Sequence, residues 1–473
     1  MDGKSRTKNL IKGTGIYAIG TFGTKILSFL IVPIYTYYIV TEDMGLYDIL
    51  MSTINLLTPI ITMQISDAAY RWILTDESRQ DLYIRTTIQV LMINCSLFAF
   101  LIIAGNYFVT IPYCYYFTAI LISSRMLATV QKLLRAVGNQ KLFAISGLCY
   151  SIVFLLLNVL QICILHQGVN GLFQSAVVAN IVALISIILL EPKIRINYFQ
   201  KLDTKLVAKF YKFSVPLVPN YLNWWVINAS DRYIVAAFLG MSANGVLAIA
   251  HKFPTVLQTI LNLFTTSWQD VSVAEKETDI GEYYTQVFRT YSKVALSLLW
   301  PLIPITKIVI LLIMSQSYKS ACNFVAFYYL GTVYQSFASF YGVGYLKSTK
   351  TGNAFSTSIC GAIVNAVINL LFIRIIGLQA AAISTFIGFL VMWLVREKQN
   401  RDELGIKTEW FEIISYTSLA VIVAVLSNML PLVWNISLFV IGTFLFFVVN
   451  KNYIINIVAL IKRKIIKENN HEV

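Results

Sequence analysis

The sequence predicts an all-α polytopic membrane protein of about fourteen transmembrane helices, built as two pseudo-symmetric six-helix lobes and two C-terminal helices. Three observations predict it. The 473 residues are 57% hydrophobic, 14% aromatic and only 13% charged, with mean hydropathy +0.70. A water-soluble chain has nowhere to hide that much apolar surface. Runs of about 20 apolar residues also recur along the whole length, each able as a helix to cross roughly 30 Å of hydrocarbon. Finally, the chain repeats itself. Sliding 45–66 by 200 positions aligns Gly45 with Gly245, Ile49 with Ile249, Leu57 with Leu257 and Ile60 with Ile260. Further on, "GVNGLFQS" (168–175) answers "GLQAAAIS" (377–384), and Asn158 answers Asn369. An even number of spans in each repeat makes the halves parallel, related by an axis along the membrane normal.

Taken in order, the first span covers 11–40. It is too long for the apolar core of a signal peptide and no A-x-A site follows, so it is expected to stay in the protein. Spans at 45–70, 84–105, 112–134, 142–165 and 171–190 complete an N-terminal lobe, 1–190. The polar stretch 191–208 is a linker, and the second lobe, 209–396, holds spans at 209–238, 246–268, 287–314, 322–346, 354–373 and 379–395. The segment 397–473 lies outside the repeat; it carries spans 410–429 and 433–450 and the basic amphipathic tail "KNYIINIVALIKRKIIKENN", a pattern suited to a membrane surface.

A net charge of +14 invites a nucleic-acid reading, which its distribution refuses. Lys and Arg gather at the N-terminus and at 132–141, 193–212, 396–407 and 451–467, on one side of the alternating loops. The other side keeps short connections such as "TED", "GNYFVT", "HQGVNG" and "GMSANG", and holds Arg232, Lys319 and Arg374. This asymmetry predicts a multi-pass protein with both termini cytoplasmic. The excess charge sets orientation.

Some polar residues do not fit that scheme. Lys25, Arg125, Lys252 and Lys307 fall deep within spans, where a charge costs at least about 2.5–3.5 kcal/mol on insertion scales. On the second span Asp48, Ser52, Asn55, Thr58, Thr62 and Ser66 follow steps of three and four, which put them on one helical face. The eighth span carries His251, Thr255, Gln258, Asn262 and Thr266, the last four at the repeat positions of Asn55, Thr58, Thr62 and Ser66. Thr14, Thr21, Lys25 and Ser28 share a face of the first span, Arg125, Thr129 and Lys132 one of the fourth, and Asn220, Asn223, Asn228 and Asp231 a broad face of the seventh. Lipid offers such groups no hydrogen-bond partner, so the stripes face protein or water. They are either interhelical hydrogen bonds in a packed bundle or the lining of a polar cavity between the halves. The deep acids are Asp48, Asp67 and Asp231. They are candidates for pairing with the cations, Asp231 with Lys252 in particular, or for carrying a coupling proton or sodium ion. His251 is a stripe residue with a possible part in proton coupling. Lys25 and Arg125 have no acid within a turn or two on their own helices, and cations in that position attract an anion.

Other chemistries are poorly supported. "GTGIYAIG" (13–20) lacks G-x-G-x-x-G spacing and opens a span, so close helix packing explains it better. No Walker A sequence occurs. His166, His251 and His471 have no second ligand at metal spacing, and the six cysteines show no C-x-x-C pair. No catalytic residue, metal or cofactor is expected, apart from coupling to a proton or sodium gradient or to the membrane potential.

"TKILSFLIVPIYTYYIVTEDMGLYDILMSTINLLTPIITMQISDAAYR" (24–71) resembles the opening of the bacterial Wzx-type O-antigen and capsule flippases, a branch of the superfamily that includes MATE drug exporters and lipid II flippases. "SVPLVPNYLNWWVINASDRYIVAAFLGMSANGVLAIAHKF" (214–253) resembles that family's second-half opening, with its prolines, Asp-Arg pair and glycine. The resemblance implies a V of two lobes around a central cavity, alternating access, and a bacterial inner-membrane flippase. Its implied cargo is a polyprenyl-diphosphate oligosaccharide for surface polysaccharide, and its implied partners are membrane lipids, a polysaccharide polymerase and chain-length machinery. Lys25 falls where lipid II flippases similarly carry a first-helix arginine; apolar Ile31 and Val32 stand where those proteins have a second, which counts against lipid II itself as cargo. The expectation is that Lys25 and Arg125 bind the diphosphate, with Lys252, Lys307, Asn55, Thr62, Gln258 and Asn262 lining the cavity. Two alternatives remain: a MATE-like exporter of cationic drugs, which would want an anionic cavity, and a membrane-embedded polymerase or ligase, which would want larger outer loops.

Overall fold

Backbone in hydrocarbon has to satisfy its hydrogen bonds within each segment, so the apolar runs become helices. The computed structural model describes residues 23–25, 27–194, 200–274, 281–347, 351–453 and 455. Helices make up these residues almost throughout, and no strand occurs among them. "GTGIYAIG", Thr14, Thr21, His471 and nearly all of the C-terminal tail lie outside the described residues. Eleven helices there are long and apolar enough to cross a membrane. The other expected spans fall on residues 23–38, on 204–239 and on a 17-residue helix at 325–341, so the fold is compatible with fourteen.

Packing divides the chain into two units, Met1–Lys252 and Phe253–Val473. The first contains α1 (Val32–Tyr38), α2 (Thr41–Thr62), α3 (Ile65–Thr75), α4 (Gln80–Phe108), α5 (Cys114–Ala136), α6 (Gln140–Asn158), α7 (Gly168–Leu190), α8 (Thr204–Ser214), α9 (Val218–Leu239) and the start of α10 (Met241–Ala274). The repeat inferred from sequence reappears in the helix starts, Thr41 for α2 and Met241 for α10. Its second register is marked by Gly168 and Gly377, both at positive φ (55° and 60°) just where α7 and a later helix begin.

The expected second span is broken. Met63 and Gln64 both adopt left-handed backbone, φ 45° and 52°, which separates α2 from α3. The break leaves the last carbonyls of α2 without helical partners. Asn94 on α4 satisfies one of them, donating to the Ile61 carbonyl at 2.8 Å. At the same end of the unit the linker forms α8, capped by Asp203, whose carboxylate accepts from the Leu206 amide at 3.0 Å. Leu206 and Phe210 are buried in a cluster with Ile73, Tyr83 and Leu134, while Lys205, Lys209 and Lys212 stay exposed. The helix is a basic amphipathic strap.

The second unit contains α11 (Gly281–Ser297), α12 (Leu299–Ile313), α13 (Val325–Tyr341), α14 (Val343–Lys347), α15 (Thr351–Ile376), α16 (Leu378–Leu404), α17 (Trp410–Met429) and α18 (Leu432–Val449). Helices α13, α15 and α16 pack together, and α17 and α18 pack on α11 and α12. All six cysteines are free thiols, Cys95, Cys114 and Cys322 buried and the rest half-buried, in keeping with small packing residues.

Candidate functional site

The polar stripes of the second and fourth spans converge. Asn55, Thr58 and Thr62 of α2 meet Arg125, Thr129 and Lys132 of α5 around a cavity of about 260 Å³, which Ser66 and Tyr221 also line. Spacing of three and four brings each set to one face, and Gln64 and Ser66, at and just beyond the Met63–Gln64 break, also line the cavity. Arg125 Nη1 donates to Thr58 Oγ1 at 2.6 Å. Lys132 Nζ is paired with Asp67 Oδ1 at 2.5 Å, and the Tyr221 hydroxyl donates to Asp67 Oδ2 at 3.4 Å. Asp48, on the same helix as the Asn55 stripe, takes Arg232 Nε at 2.7 Å. Among the described residues no carboxylate forms an ion pair with Arg125, Lys25 or Lys252.

Lys25 is not among the residues that line the Arg125 cavity. Lys25 instead belongs to a second charged group. Lys252 lies within Coulombic range of Asp48, Lys25 and Arg232. Around Lys252 the group thus holds three cations, counting Lys252 itself, and one carboxylate, with Arg232 paired to Asp48 directly and Lys25 related to the group through Lys252. Asp231 corrects the sequence reading as well. Its carboxylate lies 3.3 Å from His251 Nε2 and not against Lys252. One residue further along a helix is about 100° further round, which turns Lys252 away from Asp231 and toward the Asp48 group.

Other expected residues fall elsewhere. Lys307, expected in the cavity lining, is 6% exposed and its ammonium donates to the carbonyls of Ser427, Asn428 and Leu430, so it caps the end of α17. A cation at a helix C-terminus is favourable, and the apolar surroundings of position 307 hid that partner from sequence reasoning. Replacing Lys307 with methionine is expected to cost about 1–3 kcal/mol of stability by leaving those carbonyls unpaired, while activity per folded molecule stays unchanged; thermal unfolding in detergent beside an activity assay checks both. Gln258 donates to Gln335 at 2.6 Å, an interhelical bond within the second unit. Asn262 has an exposed side chain, and its carbonyl accepts from Thr266 Oγ1 at 2.8 Å.

Sequence reasoning missed Arg232, which it assigned to a loop-side position. The signal was present: Arg232 stands two turns before the end of α9 at Leu239, and Asp48 stands two turns after the start of α2 at Thr41, so the two are level. Around that ion pair α2 is fastened to α9 and to the start of α10. Thr53 Oγ1 and the Tyr233 hydroxyl are 2.7 Å apart, Trp225 Nε1 donates to the Ser52 carbonyl at 2.9 Å, Asn244 Nδ2 donates to the Gly45 carbonyl at 2.9 Å, and the hydroxyls of Thr41 and Ser242 are hydrogen-bonded. Gly45 and Gly245 let the backbones touch. A Cβ on Gly45 would stand 1.9 Å from the Met241 carbonyl oxygen, and one on Gly245 1.8 Å from that of Thr41.

A bundle of apolar helices enclosing a polar cavity in which Arg125 has no ion-paired carboxylate among the described residues is suited to hold a polar or anionic ligand, and the solved structures it resembles are those of transporters and a flippase. Residues 10–268 match the family model described as polysaccharide biosynthesis protein, more than half of the chain, and the chain belongs to that family. Among solved structures it is similar to the lipid II flippase MurJ in an inward closed conformation, with TM-score 0.67 and 14% identity over 93% of this chain and 99% of that one. It is also similar to an inward-facing multidrug resistance MATE transporter of the MOP superfamily, with TM-score 0.63 and 13% identity over 80% and 94% of the two chains. A MOP superfamily transporter from Pyrococcus furiosus, described by the reversed polarity of its binding pocket, follows with TM-score 0.55 and 13% identity over 84% and 95%. No curated protein sequence matches. At these identities the likeness carries the fold, which is that of the MOP superfamily.

Proposed function

We propose that the chain is a flippase that moves a polyprenyl-diphosphate oligosaccharide from the inner to the outer leaflet of a bacterial cell membrane by alternating access, for surface polysaccharide synthesis. The observation that carries this reading is the sign of the charge. Among the described residues Arg125 in its cavity lacks an ion-paired carboxylate, and Lys252 and Arg232 share Asp48 while Lys25 stands in Coulombic range of Lys252. In a low-dielectric setting such cations attract an anion far more strongly than in water, and a guanidinium suits the paired oxygens of a phosphate. The same excess disfavours a cationic drug as cargo. Hydroxyls and amides of the α2 stripe, Asn55, Thr58 and Thr62, suit a sugar beside the diphosphate.

On this reading the basic strap α8 faces the cytoplasm with both termini, the Arg125 cavity is the inner station, and the Asp48–Arg232 level is nearer the outer face. The lipid tail stays in the bilayer. A polymerase and chain-length machinery receive the product. Energy comes from a proton or sodium gradient, with Asp48, Asp67, Asp231 and His251 as the candidates, or from the membrane potential acting on the anionic headgroup. The experiment is export itself. Lys25→Ala and Lys252→Ala variants that insert at normal levels are expected to lose surface polysaccharide and to accumulate the lipid-linked intermediate inside. Full export by both variants would remove the anionic-cargo reading.

A further inference from the structure

Among the described residues of the unit Met1–Lys252, two pairs of a carboxylate with a lysine or arginine differ in consequence, beside the Asp231–His251 contact. Lys132, paired with Asp67, lines the Arg125 cavity. Asp48–Arg232 instead joins α2 to α9, and each of its side chains keeps less than a fifth of its surface exposed. Beyond it, toward Thr41 and Met241, the seam is held by neutral contacts: the Gly45–Gly245 approach, the Asn244–Gly45 bond and the Thr41–Ser242 hydroxyl pair. A phosphate and a carboxylate compete for the same face of a guanidinium. Two further cations, Lys25 and Lys252, stand in Coulombic range of that carboxylate or of each other. Each phosphate of a diphosphate diester carries one ionised oxygen at neutral pH, so such a headgroup matches the excess of this group.

We infer that Asp48 is a built-in stand-in for the cargo's anion: its carboxylate holds Arg232, and with it the α2–α9 seam, until a diphosphate among Lys25, Lys252 and Arg232 displaces it. This rests on the anionic-cargo reading and adds a trigger to it. A ligand shifts a conformational equilibrium only through a difference in affinity between the two states, and the swap supplies one. In the closed seam Arg232 is occupied by Asp48; in the parted seam it is available to the headgroup. The neutral contacts beyond it then separate without a charge left in hydrocarbon, since the headgroup neutralises Arg232 and Asp48 is left facing Lys252.

The test uses the full chain with Thr41→Cys and Ser242→Cys, whose parent hydroxyls are in contact, and an engineered protease site in the 191–208 linker, so that only the disulfide holds the fragments together. Farnesyl diphosphate is the probe, farnesol its neutral control, and binding is measured by equilibrium dialysis. Farnesyl diphosphate is expected to slow disulfide formation about fivefold, the order expected for one partly buried ion pair, and farnesol to leave it unchanged. Asp48→Asn is expected to slow it to a similar degree without ligand and to abolish the further response. If Asp48→Asn fails to fold, Arg232→Lys is measured in its place, with slower cross-linking again expected. Saturable farnesyl diphosphate binding with an unchanged cross-linking rate, or a variant that behaves as the parent, overturns the swap and leaves the cargo reading standing. Absence of saturable binding removes the cargo reading and this inference with it.

Discussion

Arg125→Ala is expected to cut export of surface polysaccharide at least about tenfold at unchanged protein level, the loss that follows from removing a charge-assisted phosphate contact worth about 1.5–3 kcal/mol. The fold tolerates the change because the bond that Arg125 makes with Thr58 is replaceable: Thr58 Oγ1 still donates to the Ile54 carbonyl at 2.7 Å. Arg125→Lys keeps the charge and loses the planar fork, so it is expected to fall between the two. Labelling of cell-surface glycan, beside an immunoblot for the transporter, reads the effect. Full export by Arg125→Ala would place the headgroup elsewhere and reduce the 260 Å³ cavity to a packing defect.

Gly45→Leu is expected to act on the seam and not on cargo binding. Even a single added carbon would meet the Met241 carbonyl oxygen at 1.9 Å and the Gly245 nitrogen at 2.9 Å. These are backbone atoms at the start of α10, which cannot turn aside as a flexible side chain can. Helices α2 and α10 therefore have to part, at about 1–3 kcal/mol or more for overpacking. The expected results are a lower unfolding temperature, slow cross-linking of the Thr41→Cys/Ser242→Cys pair, and export reduced at least severalfold, with farnesyl diphosphate binding retained. Gly245→Leu should behave alike, because a Cβ there meets the Thr41 carbonyl oxygen at 1.8 Å. Cross-linking at the parental rate in both variants would mean that the two glycines do not control the closure.

These two residues mark how far the sequence could be read. Gly45 and Gly245 were legible as repeat mates, yet nothing in either stretch says that they touch. The helices themselves were legible, because hydrocarbon forces the backbone of every long apolar run to bond within itself. The faces of α2 and α5 were legible for a related reason: a helix fixes the angle between residues three and four apart, and unpartnered hydroxyls cannot face lipid. The break at Met63–Gln64 left no such signal, since neither residue is a glycine or proline.

The sequence by itself determined that this protein crosses a membrane many times, that its two halves repeat, and that cations stand inside helices where only a partner or an anion makes them tolerable. Only the tertiary structure decided which had partners. Lys307 found three carbonyls, Asp231 found His251, and Arg232 found Asp48, while Arg125 found a cavity. Burial of a charge depends on composition within one segment, but its neutralisation depends on where helices remote in the chain cross. A local pattern fixes the first and cannot fix the second.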